Sequence, residues 1–316
     1  MVERILAPKR LFSQAAWGCL LLAWFASGGC SIHRYTLNKV SDAVAQTGST
    51  FASDDDPELI KAAAPFGLKL TESLLAENPR HLGLLTSAAS GFTQFTYAFV
   101  QEEADETEPQ NFAAAEAMRA RARRLYLRAQ GYGLRGLEVK HPGFGKALSA
   151  NPKAAVRVAT KSDVPLLYWT AAAWGSAISL SKDNPELVGQ IPAMEALINR
   201  ALELDESWNH GAIHTFMISY EMSRSGAAGD PAERARKQFD RAMELSKGTD
   251  ASPLVAFAEA VDIQKQDAKE FESLLNRALA INPDASPDIR LLNLVMQRRA
   301  RWLLSRESEL FLIESK

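Results

Sequence analysis

The sequence predicts an all-α protein built from helical hairpins, on three observations. Capping residues stand directly before proline at a series of positions, the signature of helix starts. Apolar residues recur three and four apart between those starts. A short string centred on an Arg-Ala pair returns at intervals near forty residues. No convincing strand alternation or Asn-Gly hairpin competes with that reading.

Composition sets the outer limits. The chain has 316 residues, 47% hydrophobic and 23% charged, which excludes a largely disordered, collagen-like or polytopic membrane protein. A formal net charge of -2 lacks the basic footprint of a nucleic-acid binder. Both cysteines, Cys19 and Cys30, fall in the first thirty residues. The rest of the chain therefore has no disulfide framework, thiolate metal site or cysteine nucleophile.

Residues 1–29 read as an export signal. Arg4, Lys9 and Arg10 form a positive start, residues 15–25 are apolar apart from Gly18, and small residues Ser27-Gly28-Gly29 precede Cys30. The apolar run is far short of the roughly 20 residues a membrane span needs. The segment resembles a bacterial lipoprotein signal, in which Cys30 is lipidated and becomes the first residue of the mature chain. Ser27 stands where such signals usually carry leucine, and a cleaved signal without lipid is the competing reading. Lipidation would anchor the chain to a membrane surface without spanning it. Residues 30–56, ending in Asp54-Asp55-Asp56, read as a short helix and polar tether, and residues 57–316 as the helical body.

Within the body, helix starts are expected at Asp56-Pro57-Glu58, Asn151-Pro152, Asn184-Pro185-Glu186, Asp230-Pro231-Ala232-Glu233, Ser252-Pro253 and Ser286-Pro287-Asp288. A capping side chain accepts from an orphan N–H, and proline in the first turn gives up no donor the helix needs. Asp230 and Glu233 have capping-box spacing. The string around Arg200-Ala201-Leu202 recurs around Arg241-Ala242-Met243 and Arg277-Ala278-Leu279, 41 and then 36 residues on, with a fainter copy at Arg128-Ala129. A period near 34 belongs to tetratricopeptide (TPR) helix pairs, in which stacked hairpins bury faces that one hairpin cannot bury alone. The sequence thus predicts an irregular TPR-like helical-hairpin solenoid of four or five pairs, closed by an arginine-rich terminal helix over 289–313.

Several motifs have two readings. Gly131-Tyr132-Gly133-Leu134-Arg135-Gly136 is a literal G-x-G-x-x-G, but a helical pattern precedes it where a dinucleotide site needs a strand. The glycines are expected to end a helix or to let two helices approach closely. His210 and His214 are spaced for one helical face, yet Gly211 stands where a metalloprotease motif carries glutamate, so a structural role is expected and no metal. The acidic run Glu102 to Pro109 reads as a loop and Arg119 to Arg124 as a basic helix face, both as solvated surface with local salt bridges. No catalytic triad, P-loop or paired-carboxylate motif stands out, and neither an enzyme nor a cofactor is expected.

Asn78-Pro79-Arg80-His81, the stretch from Thr86 to Phe99, Ala122-Arg123-Arg124-Leu125-Tyr126, Tyr168-Trp169-Thr170-Ala171-Ala172-Ala173-Trp174-Gly175 and the run from Glu203 through Trp208-Asn209-His210-Gly211-Ala212 resemble the TatT family. These are TPR-containing periplasmic lipoproteins associated with TRAP transporters, and the similarity extends from about Leu59 to Ala280. The resemblance implies a periplasmic, lipid-anchored helical protein that partners a periplasmic solute-binding protein, as a homotrimer with a pore through each subunit. It also implies a small organic or more hydrophobic ligand. Aromatic residues at helical spacing are usually core, but the small residues beside Trp169 and Trp174 leave groove space. Tyr97, Tyr168, Trp169 and Trp174, with Gln94 for polarity, are therefore the expected ligand-lining residues. A generic TPR scaffold lipoprotein for envelope assembly is the alternative function.

Overall fold

The computed structural model describes residues 38–46 and 48–312, and every regular element among them is helical. The proposed signal and Cys30 lie outside the described residues. In chain order come α1 (38–45), α2 (Gly48–Ala52), α3 (Pro57–Glu77) and α4 (Leu82–Thr96), which runs through a π-helical turn at Tyr97–Gln101 into α5 (Glu102–Thr107). Next are the long α6 (Phe112–Lys140), short α7 (Phe144–Ala150) and α8 (Pro152–Ala155), α9 (Val164–Ser179), α10 (Pro185–Val188) and α11 (Ile191–Leu204). The last part holds α12 (Trp208–Ser223), α13 (Pro231–Leu245), and α14 (Ser252–Phe257), which passes through a second π-helical turn at Ala258–Asp262 into α15 (Ile263–Lys265). α16 (Ala268–Ala280), α17 (Arg290–Ser305) and α18 (Glu307–Leu310) complete the described chain.

Four of the predicted caps do what their chemistry suggests. Asp56, Asn151, Asn184 and Asp230 each accept backbone N–H bonds from the first turn of α3, α8, α10 and α13. Ser252 does not: it is the first residue of α14, and the buried Asp250 accepts its N–H at 2.7 Å instead. Ser286 precedes a single 3₁₀ turn at Pro287–Ile289 and makes no side-chain cap bond.

The repeated strings fall on α6, α11, α13 and α16. In all four the alanine, Ala129, Ala201, Ala242 and Ala278, is 0% exposed, so the smallest side chain marks the line of closest approach between helices. α3 packs on α4, α4 on α6, α6 on α9, α9 on α11, α12 on α13, and α16 on α14 and α17. A stack that touches only its neighbours would end at α17. Here α17 also reaches the beginning of the chain. Val295, Met296, Ala300 and Leu303 share one core with Ile60 and Ala64 of α3, Phe99 of the first π-turn and Phe257 of α14. Arg290 donates to the Ser53 carbonyl at 3.0 Å, and Arg298 binds Glu106 of α5 at 2.8 Å. The arginine-rich helix is therefore a closing element whose charges meet the acidic run.

Residues 38–46 and 48–53, expected as helix and tether, are laid against the body. Asn78 Nδ2 donates to Asn38 Oδ1 at 2.7 Å, and the His81 ring pairs with Asp42 at 3.1 Å.

Candidate functional site

Two glycines of α6 set how closely α9 can approach it. A Cβ on Gly133 would overlap the Thr170 side chain, and one on Gly136 would stand 2.6 Å from Leu166 Cδ2. The G-x-G-x-x-G string thus lies inside a helix and brings α6 and α9 into backbone-close contact. The same helix α9 carries Tyr168 and Trp169.

Those two rings form a cluster with Trp208, the first residue of α12. Tyr168 lies 4.9 Å from Trp169 and 4.7 Å from Trp208, and the two tryptophans are 6.1 Å apart at a near-perpendicular angle. Edge-to-face contacts of this kind suit the quadrupoles of the rings. Directly after Trp208 the backbone turns left-handed for three residues, Asn209 (φ 48°), His210 (φ 58°) and Gly211 (φ 84°). Such a run costs energy at any residue with a Cβ, and local strain of this sort gathers at functional sites. Gly211 could not easily be anything else, since a Cβ there would meet Leu245 at 3.0 Å. The turn aims His210 at Asp288, 2.7 Å away, and leaves His214 between Gln238 (2.6 Å) and Glu206 (3.3 Å). The two histidines therefore serve different partners. Among the described residues no group of three or more His, Cys, Asp or Glu side chains is placed to hold a metal ion. Burial raises the Asp250 carboxyl above its usual range, partly offset by hydrogen bonding from Ser252 and less by His210. Burial, with the Asp250 charge added, raises the Tyr168 phenol, which is a neutral hydrogen-bonding group at physiological pH.

A second centre lies where the two π-helical turns meet α17. π-turns insert one residue into a helix and are frequent at functional sites. The first presents Tyr97 and Gln101 and leads into Glu102. The second contains Glu259. Arg299 of α17 lies between them, 5% exposed, pairing with Glu259 and, at 3.0 Å, with Asp105. Its guanidinium stacks on Trp302 at 4.4 Å. Burial works against the Arg299 charge, but Glu259, Tyr97 and Asp105 outweigh it and hold its pKa up. Glu102 is 1% exposed, beside the Tyr97 hydroxyl, and Arg299 Nη1 lacks a hydrogen-bond partner. Burial is the main cause that pushes Glu102 up to about 8, with Arg299 opposing it and Glu259 adding to it. At neutral pH this carboxyl is mostly protonated. Beside it the fully buried Tyr126 donates from its hydroxyl to Gln101 at 2.7 Å.

The residues expected to line a ligand are distributed over this arrangement. Tyr168 and Trp169 stand together in the aromatic cluster, and Tyr97 belongs to the buried polar centre. Trp174 is 6% exposed in the core between α9 and α11, and its indole N–H donates to Gln190 at 2.9 Å. Gln94 is exposed on α4, where its amide donates to the Ser90 carbonyl at 3.3 Å. The acidic run is helix where a loop was expected, and only its end is open. Asp105 and Glu108 bind Arg119 of α6, and Glu106 binds Arg298. Sequence reasoning missed Glu102, Glu259, Asp250 and Arg299. For Glu102 a signal existed: it continues the three- and four-residue spacing of Phe92, Phe95 and Phe99.

An uncharacterised protein of Treponema pallidum (strain Nichols) is 28% identical over 312 residues, covering 93% of this chain and 95% of that protein. The family model for the TRAP transporter T-component matches residues 53–311, from the end of α2 to the residue after α18. The chain with the closing α17 and the two facing π-turns belongs to the TRAP transporter T-component family, a family of transport and not of catalysis.

Proposed function

We propose that this chain is the periplasmic, lipid-anchored accessory component of a TRAP-type solute transporter, a TPR-like body that docks the transporter's solute-binding protein. It binds or relays that protein's small organic or hydrophobic ligand and works as a homotrimer. The observation that carries this reading is the family match, which runs across the helical body almost from end to end. Two features agree with it. Residues 1–30 have the pattern of a lipoprotein signal ending at Cys30, and no helix among the described residues is long and apolar enough to cross a membrane. Anchoring then falls to a lipid. The ligand-facing wall is assigned to Tyr168 and Trp169 with Trp208, and Tyr97 lines the second centre.

The test is recovery of partners from the native envelope. Membranes carrying the tagged full-length chain are solubilised in mild detergent and captured on the tag. A stoichiometric periplasmic solute-binding protein is the expected companion, and native mass spectrometry should report three copies of the chain and any retained small molecule. Repeated capture of the chain without such a protein would overturn the docking role.

A further inference from the structure

The exposed large apolar side chains are unevenly placed. Eight occur among the described residues, and five of them, Val40, Leu59, Phe66, Leu70 and Leu82, fall between positions 40 and 82. Three belong to α3. With 3.6 residues per turn, Leu59, Phe66 and Leu70 project within an arc of about 40° on that helix. The opposite face carries Ile60, Ala64, Leu68 and Leu75 into the core. A surface helix ordinarily turns polar residues outward, but here Phe66 is 74% exposed and Leu59 56%. The flanking lysines give the stripe little net charge, since Lys61 pairs with Glu103 and Lys69 with Glu72 at 2.6 Å. The N-terminal arm lies beside this helix: Phe51 packs against Gly67, and Asn38 is bonded to Asn78 at the end of α3.

We infer that this stripe is a membrane-contact surface, with Leu59, Phe66 and Leu70, and Val40 on the adjoining arm, seated in the interfacial layer of the bilayer. The inference rests on the lipid anchor at Cys30 proposed above. Asn38 is eight positions on from Cys30, at most about 28 Å of extended chain. The bilayer that holds the lipid is therefore within a short reach of the arm and of α3. A lipid surface takes apolar side chains without demanding matching charges, which fits a stripe whose flanking lysines are already paired. The contact would fix the orientation of the body on the membrane.

The test places the photo-cross-linking residue benzoylphenylalanine at position 66 in the full mature chain, attached to phosphatidylethanolamine–phosphatidylglycerol vesicles through Cys30. Attachment uses the cell's own lipid or, where the thiol is free, a maleimide-bearing lipid, so the surface is tested whether or not the cell lipidates Cys30. Intact mass reports the state of Cys30 separately. Position 66 is exposed, so the substitution leaves the core untouched, and helicity confirms that the chain is folded. On irradiation a phospholipid adduct is expected at position 66, several-fold more abundant than with the same residue at Asp240, which is exposed on α13. Equal adducts at the two positions would overturn the inference. So would a cross-linked dimer of the chain, or a cross-link to added solute-binding protein that replaces the lipid adduct.

Discussion

Gly131 and Gly133, two residues apart on α6, have opposite expected responses to one methyl group. Nothing lies within 4 Å of a Cβ at Gly131, so Gly131→Ala should stabilise the helix by up to about 1 kcal/mol through backbone entropy alone. At Gly133 the same methyl overlaps Thr170, whose hydroxyl is already engaged with the Leu166 carbonyl at 2.5 Å. Overpacking there should cost about 1–3 kcal/mol. Urea denaturation of the two variants measures the contrast, and equal midpoints would mean that α6 and α9 are not packed as described. The sequence shows the motif but not which of its glycines is pressed against a neighbour, because that depends on a helix some forty residues away. Glu102 gives the other prediction at this scale. Its pKa rises from 4.5 to about 8, so between those values the folded chain holds a proton that the unfolded chain has released. The contribution is complete below pH 4.5 and is lost as pH rises toward 8, at about 1.4 kcal/mol per pH unit. Glu102→Gln should remove that slope from denaturation measured at pH 5, 6, 7 and 8. A variant with the wild-type slope would show that another group carries it.

At the scale of single elements, most helix starts were legible and their exceptions have physical causes. Asp56, Asn151, Asn184 and Asp230 need only a first-turn N–H within reach, which is local chemistry. The start of α14 is different. Ser252 has the right type and the right neighbour, Pro253, but is already inside the helix, and its side chain caps no first-turn N–H. Asp250 supplies the acceptor, and Asn293 of α17 accepts the next free N–H, that of Ala251, at 2.8 Å. Ser252→Ala should therefore change stability by less than about 0.5 kcal/mol, whereas Asp250→Ala should cost about 1–2 kcal/mol. Thermal melts of the pair decide the assignment, and a larger loss at Ser252 would reverse it. The two π-turns were not legible at all. Each adds one residue to an otherwise ordinary helical pattern, and the shift becomes visible only when Glu102 and Glu259 are seen on either side of Arg299. The acidic run was misread for a related reason. Charge density suggested solvent and local pairs, and Arg119 on the next helix does supply local pairs, but the partners Arg298 and Arg299 come from a distant helix.

For the whole molecule the consequential feature is closure. Hairpin repeats that touch only their neighbours unfold piecemeal, and a terminal helix frays before the middle does. In this chain α17 shares a core with α3 and the first π-turn, and Arg299 holds carboxylates from both ends of the body. The Arg-Ala strings fall on buried alanines of α6, α11, α13 and α16, but they contain no information about whether the last unit meets the first. That is set by Arg298 and Arg299, whose partners Glu106, Asp105 and Glu259 lie as much as 194 residues away. Hydrogen exchange should therefore find amides of α17 protected to about the same free energy as those of α4. Arg299→Ala leaves the partly buried carboxylate of Glu259 without its cation and Asp105 with Arg119 alone, and breaking a buried pair from one side costs up to about 3–5 kcal/mol. The loss should appear together in α17, α5 and the second π-turn, while α9 and α11, whose core is separate, keep most of their protection. Loss confined to α17 would mean that the two ends merely touch, and that the body behaves as an open stack.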